Sequence, residues 1–74
     1  MSTIYDDIIR GLSRDEIIII QRVFMDLEYP CLDTGIWDYS TNESLIKFQR
    51  THCLGTTEDT IKEIKKLYKD GAVG

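Results

Sequence analysis

The stretch that decides the fold is residues 33–50, DTGIWDYSTNESLIKFQR. It opens with a turn, since Gly35 permits a positive φ and the Asp33 side chain can bond its own backbone two residues on. Ile36 and Trp37 are apolar in an otherwise polar segment, so at least one of them should point inward. We therefore expect a tight turn that leads directly into a helix.

A helix-start signal follows the turn, because Ser40 and Glu43 spell the S-x-x-E capping box. Behind it, three residues recur at helical spacing, Leu45, Phe48 and His52, and Ile46 and Gln49 stand beside them. These positions predict a helix over about residues 41–51. After it, Leu54 should pack on the core and Gly55 should form the turn.

A longer helix is predicted upstream, over about residues 13–27. Ser13 and Glu16 form a second S-x-x-E box. An apolar stripe follows at helical spacing: Ile17, Ile19, Ile20, Val23, Phe24 and Leu27. The isoleucine run is β-prone, so a strand is the competing interpretation. The capping box, together with the polar pair Gln21 and Arg22 on the far face, favours the helix.

A third main helix is expected near the C-terminus. Thr56 or Thr57 should cap it, and Glu58 and Asp59 would occupy the first turn, where the helix dipole favours acidic side chains. Its inner stripe consists of four residues: Ile61, Ile64, Leu67 and Tyr68. The helix should therefore close the core formed by the two preceding ones.

Residues 1–12 form an N-terminal extension in which residues 3–10 could make a short helix stopped by Gly11. The fold class is accordingly all-α. We expect one domain over residues 1–74, built as a small orthogonal or irregular bundle with a three-helix core over 13–69 and a possible fourth helix before it.

The charge distribution argues against nucleic acid as a partner. The 74 residues carry a net charge of −4, with 42% hydrophobic and 30% charged residues, as is typical of a globular domain. Residues 1–38 hold eight acids and three bases (−5), and residues 39–74 hold five acids and six bases (+1). Neither half can neutralise a row of phosphates. The lysines near the C-terminus are interpreted as a solvated helix face.

Neither a membrane partner nor a signal peptide is predicted. The longest apolar run is Ile17–Ile20, far too short to span a bilayer. The N-terminus MSTIYDDIIR begins acidic and lacks the basic and apolar regions of a secretory signal. We expect a protein that is cytoplasmic when made and that reaches other locations through lysis or virion assembly.

No residues with the spacing of a catalytic or metal centre stand out. Cys31 and Cys53 are the two cysteines; whether they pair cannot be read from the sequence, and two reduced thiols are favoured. With His52 as the one histidine, a closed zinc site is not expected. The Asp33-Thr34-Gly35 tripeptide matches aspartic proteases, but that chemistry needs two such loops in an all-β fold. We expect no enzyme activity, no metal and no cofactor.

Aromatic residues gather around the loop before the central helix: Tyr29, Trp37 and Tyr39. Trp37 is about equally well explained as a core residue or as part of a shallow platform on which sugar faces or peptide could stack. Hydrogen-bonding side chains complete the set of candidate ligand-binding residues: Asp33, Asp38 and Gln49. For Gln21 and Gln49 we favour a structural role in which the side chain ties loop backbone to a helix.

Residues 14–68 resemble the peptidoglycan-binding domain (PGBD-like) family. The pattern is I-x-x-x-Q-x-x-x-x-x-L, a loop, and then D-x-G-x-W-x-x-x-T-x-x-x-L-x-x-F-Q-R, and it is carried by these residues: Ile17, Gln21, Leu27, Asp33, Gly35, Trp37, Thr41, Leu45, Phe48, Gln49 and Arg50. The sequence departs from the family where Thr34 separates Asp from Gly, where Asp38 replaces a glycine, and in the altered second turn at 54–60.

The resemblance implies a small three-helix domain that adsorbs to the cell wall without chemistry. A free-standing module without a signal peptide fits a phage-encoded or virion-associated protein. The alternative hypothesis is that the same scaffold serves protein–protein interaction, as a virion subunit or as an inhibitor of a host protein. The acidic N-terminal half would then suit a basic partner surface.

Overall fold

The computed structural model describes residues 7–69, and over this range the chain forms four helices and no strand. They are α1 (Asp7–Arg10), α2 (Arg14–Asp26), α3 (Tyr39–Thr51) and α4 (Thr57–Lys69). The predicted small helical bundle with a short additional helix is confirmed. Residues 3–6 of the predicted N-terminal helix lie outside the described residues. None of the four helices is long and apolar enough to cross a membrane.

The start of α2 has the predicted capping box. The Glu16 backbone N–H donates to Ser13 Oγ (3.2 Å), and the Ser13 backbone N–H donates to Glu16 Oε1 (2.9 Å). The other carboxylate oxygen of Glu16 accepts from Lys65 Nζ on α4 at 2.8 Å. The hydrogen bond from Lys65, and then that from the Ser13 backbone, lower the pKa of Glu16 to about 2. The cap therefore also ties α2 to α4.

The predicted cap of α3 is wrong, since Asp38 and not Ser40 occupies the N-cap. Asp38 is extended, and its Oδ1 accepts from the Thr41 backbone N–H (2.9 Å) and the Thr41 hydroxyl (2.7 Å). A carboxylate that accepts two hydrogen bonds is a stronger cap than a serine hydroxyl. The helix consequently begins two residues earlier than predicted, and Ser40 lies inside its first turn.

The turn between α3 and α4 agrees with the sequence in part. Leu54 packs on the core as expected, and its N–H donates to the Gln49 carbonyl at 2.9 Å. The positive φ expected at Gly55 occurs at Cys53 instead (φ 54°). Thr56 caps α4, since its hydroxyl accepts from the Asp59 N–H at 3.1 Å. The prediction that Thr56 or Thr57 caps this helix is therefore confirmed.

α4 is the central helix of the bundle, because it packs against α1, α2 and α3. Among residues 7–69, ten buried hydrophobic side chains form the core: Ile9, Ile20, Val23, Phe24, Cys31, Trp37, Leu45, Phe48, Ile61 and Ile64. The rings of Phe24 and Phe48 meet with centroids 6.1 Å apart and join α2 to α3. Leu27 and Tyr68 were predicted on inner stripes but are exposed, since both stand at helix ends beyond the packed turns.

Both cysteines are free thiols, as favoured from the sequence. Cys31 is buried in the core, whereas Cys53 is exposed. Burial raises the pKa of the Cys31 thiol, which therefore stays neutral and packs as a small apolar side chain.

Candidate functional site

The loop between α2 and α3 is anchored from beneath by Gln21. The Gln21 side chain accepts from the Gly35 N–H (2.8 Å) and donates to the Ile36 carbonyl (2.9 Å) and the Thr41 hydroxyl (2.9 Å). It is 0% exposed. The structural role predicted for Gln21 is confirmed, whereas its predicted position on the far face with Arg22 is wrong. The loop folds back over that face and satisfies the amide.

The turn itself is closed by Thr34 and not by Asp33. Thr34 Oγ1 accepts from the Ile36 N–H at 3.2 Å. The Asp33 carboxylate lies 3.4 Å from Arg22 Nε in an exposed ion pair. The capping role predicted for Asp33 is therefore wrong, and its carboxylate links the loop to the outer side of α2.

Gly35 has the positive φ that the sequence predicts, at 81°. A Cβ at this position would lie 2.8 Å from Arg14 Cγ. We expect Gly35→Ala to lower the free energy of unfolding by about 1–2 kcal/mol, since an L residue is strained there. Urea denaturation followed by circular dichroism measures the loss. Gly55→Ala is the matched control, because a Cβ there meets nothing within 4 Å; equal losses in both variants would contradict the prediction.

Trp37 belongs to the core. It is 9% exposed, and its Nε1 donates to Asn42 Oδ1 at 3.1 Å. The neighbouring Ile36 points outward, so the expectation that at least one of the two is buried is confirmed. The indole face is consequently not open to a ligand, and Trp37 supports the loop from inside.

Asp38 combines an exposed position with a structural role. Thr41 donates both its hydroxyl and its backbone N–H to the carboxylate, and these bonds lower the pKa of Asp38. The Thr41 hydroxyl also lies 3.5 Å from Cys31 Sγ and accepts from Gln21. Asp38 Oδ1 is therefore engaged by the fold, and the carboxylate remains ionised at neutral pH.

An open groove of about 420 Å³ lies where this loop meets the start of α3. It is lined by Tyr29, Pro30, Cys31, Leu32, Asp38 and Ser40. We call it the loop groove. The half-buried Tyr29 ring packs against Phe24 at 5.8 Å between centroids, which fixes its orientation. Tyr39, at the first position of α3, is 69% exposed.

A second open groove of about 430 Å³ runs along α3 and shares Pro30 with the first. Its other lining residues are Glu43, Ser44, Ile46, Lys47 and Arg50. We call it the helix groove. Sequence reasoning missed it as a site, although the i, i+3, i+4, i+7 spacing of four of these residues places them on one helix face. Gln49 is half-buried on the same helix.

The six candidate ligand-binding residues therefore do not meet in one site, and Gln49 lies apart from the loop groove on α3. Tyr29 and Asp38 line the loop groove, and Tyr39 stands exposed at the start of α3. Trp37 lies in the core, and Asp33 is paired with Arg22. Within residues 7–69 there is no group of three His, Cys, Asp or Glu side chains that could hold a metal ion.

The two grooves place apolar side chains beside hydroxyl and charged groups, and the loop that borders them is held from below by Gln21. Tyr29 offers an aromatic face, and Ser40 and Asp38 offer polar atoms at the same groove. Compared with known proteins, the sequence matches no family model, and no curated protein or solved structure matches it significantly.

Proposed function

We propose that this protein is a non-catalytic module that binds the peptidoglycan of a cell wall. The observation that carries the proposal is the loop groove, in which Tyr29, Leu32 and Asp38 lie together close to the start of α3. Sugar rings and short peptides combine apolar faces with polar edges, and aromatic side chains beside hydrogen-bonding groups suit such ligands. The resemblance of residues 14–68 to peptidoglycan-binding domains supports the same function.

Binding would occur by adsorption to a preformed surface. The loop is held by Gln21 from below and by the buried Trp37, so little chain entropy would be lost when a ligand binds. Tyr29 and Leu32 would contact the apolar faces, and the Ser40 hydroxyl would meet polar edges.

Sedimentation with purified sacculi tests the function directly. We expect the protein to pellet with sacculi at low and moderate salt. Tyr39→Ala should reduce the bound fraction severalfold, because it removes an exposed aromatic ring that lies in the sequence between the lining residues Asp38 and Ser40. Tyr68→Ala removes an exposed aromatic residue from α4 and is the matched control. If the wild-type protein stays in the supernatant at both salt concentrations, the proposed function is wrong.

A second candidate function is protein–protein interaction, as a virion component or as an inhibitor of a host protein. It is favoured by three large apolar side chains of one segment, Leu32, Ile36 and Tyr39, that are each at least 65% exposed. Exposed apolar side chains grouped in one region often mark protein interfaces. A single stoichiometric partner in an affinity pull-down, without sacculus binding, would favour this function over the first.

A further inference from the structure

The helix groove has its charged groups separated along α3. Glu43 stands at one end, and Lys47 and Arg50 follow one and two turns later on the same face. Seven residues of helix span about 10 Å. Along the helix axis Lys47 therefore stands about 6 Å from Glu43, and Arg50 stands about 10 Å from it.

None of these three charges has an ion-pair partner among residues 7–69. Lys47 has Glu43 four residues before it, yet its ammonium lies over the Tyr29 ring, 5.1 Å from the centroid. In a chain of net charge −4, two cations on one groove wall that lack a carboxylate partner favour a ligand with its own carboxylate.

The middle of the groove is apolar. Pro30 from the loop and Ile46 from α3 both line it, and Ile46 is 37% exposed. The Ser44 hydroxyl already donates to the Ser40 carbonyl at 2.9 Å, so it is engaged by the helix. An apolar side chain of a ligand could lie between Pro30 and Ile46 while its polar ends reach the charged residues.

We propose that the helix groove binds a short extended peptide that carries a free amino group and a free carboxylate. The amino group pairs with Glu43, and the carboxylate pairs with Lys47 and with the planar fork of Arg50. An extended tripeptide spans about 10 Å, which matches the separation of Glu43 and Arg50 along the helix axis. In a cell wall the matching groups are the side-chain amino group of an uncrosslinked diamino acid and the free carboxylate of the same stem peptide, whose own N-terminus is joined to the sugar as an amide; this assignment rests on the proposed function.

Titration of the isotope-labelled protein with the tripeptide Ala-Leu-Ala, followed by NMR, tests the proposal. With free termini, we expect saturable shifts of backbone amides in residues 43–50. Amidation of the peptide's C-terminus, and separately acetylation of its N-terminus, should each weaken binding about tenfold, because a charge-assisted bond is lost. Arg50→Gln should weaken binding of the free tripeptide to a similar degree. Lys66→Gln, which removes an exposed cation on α4, should leave it unchanged.

Two results would overturn the proposal: equal binding of the free and amidated peptides, or shifts that map away from residues 43–50. Sedimentation with sacculi separates this site from the proposed function. If wild-type protein and Arg50→Gln pellet equally, wall binding stands and the helix groove is not its peptide site. If the tripeptide binds at residues 43–50 but the wild-type protein does not pellet, the peptide site stands and the wall-binding function fails.

Discussion

Replacing Phe48 by alanine is expected to lower the free energy of unfolding by about 3–5 kcal/mol. Phe48 is 0% exposed, and its ring meets Phe24 at 6.1 Å and stacks on His52 at 4.0 Å between centroids. Truncation removes the ring that joins α3 to α2 and leaves a cavity. Total stability for a chain of this length is about 4–11 kcal/mol. The variant should therefore lose a large share of its stability, and it would be largely unfolded at room temperature if the wild type lies near the lower end of this range.

Urea denaturation followed by circular dichroism and by the fluorescence of Trp37 measures this loss. Ile46→Ala is the matched control, since Ile46 stands two residues earlier on α3 and is partly exposed on the outer face. We expect that control to cost about 1 kcal/mol or less. A loss of similar size in the two variants would show that Phe48 does not anchor the core.

The second large effect is expected for Gln21→Leu, which should cost about 2–4 kcal/mol. Leucine is similar in size, so the loss comes from hydrogen bonding and not from a cavity. The Gly35 N–H would lose its acceptor, and an unsatisfied buried polar group costs about 1–3 kcal/mol. The hydrogen bond to the Ile36 carbonyl would be lost at about 1 kcal/mol, although that carbonyl keeps the Asp38 N–H at 3.0 Å. Denaturation measures the total, and hydrogen exchange at the Gly35 amide should report the local opening of the turn.

Two further variants, one at the neighbouring Arg22 and one at Gln21 itself, make the test sharper. Arg22→Gln removes only an exposed ion pair with Asp33 and should change stability by less than about 1 kcal/mol. Gln21→Glu keeps an acceptor for the Gly35 N–H but places a carboxylate against the Ile36 carbonyl. Burial and that repulsion should raise the pKa of Glu in the folded state above its unfolded value.

The sign of the pH dependence follows from that shift. A carboxyl group whose pKa is higher in the folded state binds protons more tightly there, so its contribution to stability improves as pH falls. The free energy of unfolding of Gln21→Glu should therefore be closest to that of the wild type near pH 4–5 and furthest below it at pH 7, when the two proteins are measured at the same pH. A constant difference across this range would contradict the placement of Gln21 between the turn and Thr41.

The helices could be predicted because the interactions that define them are local. The capping box of Ser13 and Glu16 joins residues three apart, and Thr56 meets Asp59 at the same spacing. The apolar stripes repeat every three to four residues, so the faces with Phe24 and Phe48 could be assigned before any tertiary contact was known. At Ser40 the S-x-x-E pattern predicted the wrong cap, because Asp38, two residues earlier, caps the helix.

The support of the candidate site could be predicted less well, because it depends on contacts distant in sequence. Helical periodicity predicts Gln21 on the surface, yet the turn at Gly35, 14 residues later in the sequence, buries it. The sequence pattern is equally consistent with Trp37 as a core residue and as a ligand platform. In the structure its ring is buried and donates a hydrogen bond to Asn42. These side chains are buried because the loop between α2 and α3 folds back across α2. Helical periodicity does not predict the path of that loop.

The sequence by itself determined that the chain is all-helical, where its helices lie to within a few residues, and which apolar faces turn inward. Only the tertiary structure decided which part of the stretch 33–50 remains at the surface. The turn over Gln21 sends Trp37 inward and leaves the outer face of α3 open beside Pro30. Each helix is formed by hydrogen bonds and apolar periodicity that are local in sequence. A groove forms only where segments distant in sequence pack against each other, so it depends on the tertiary structure.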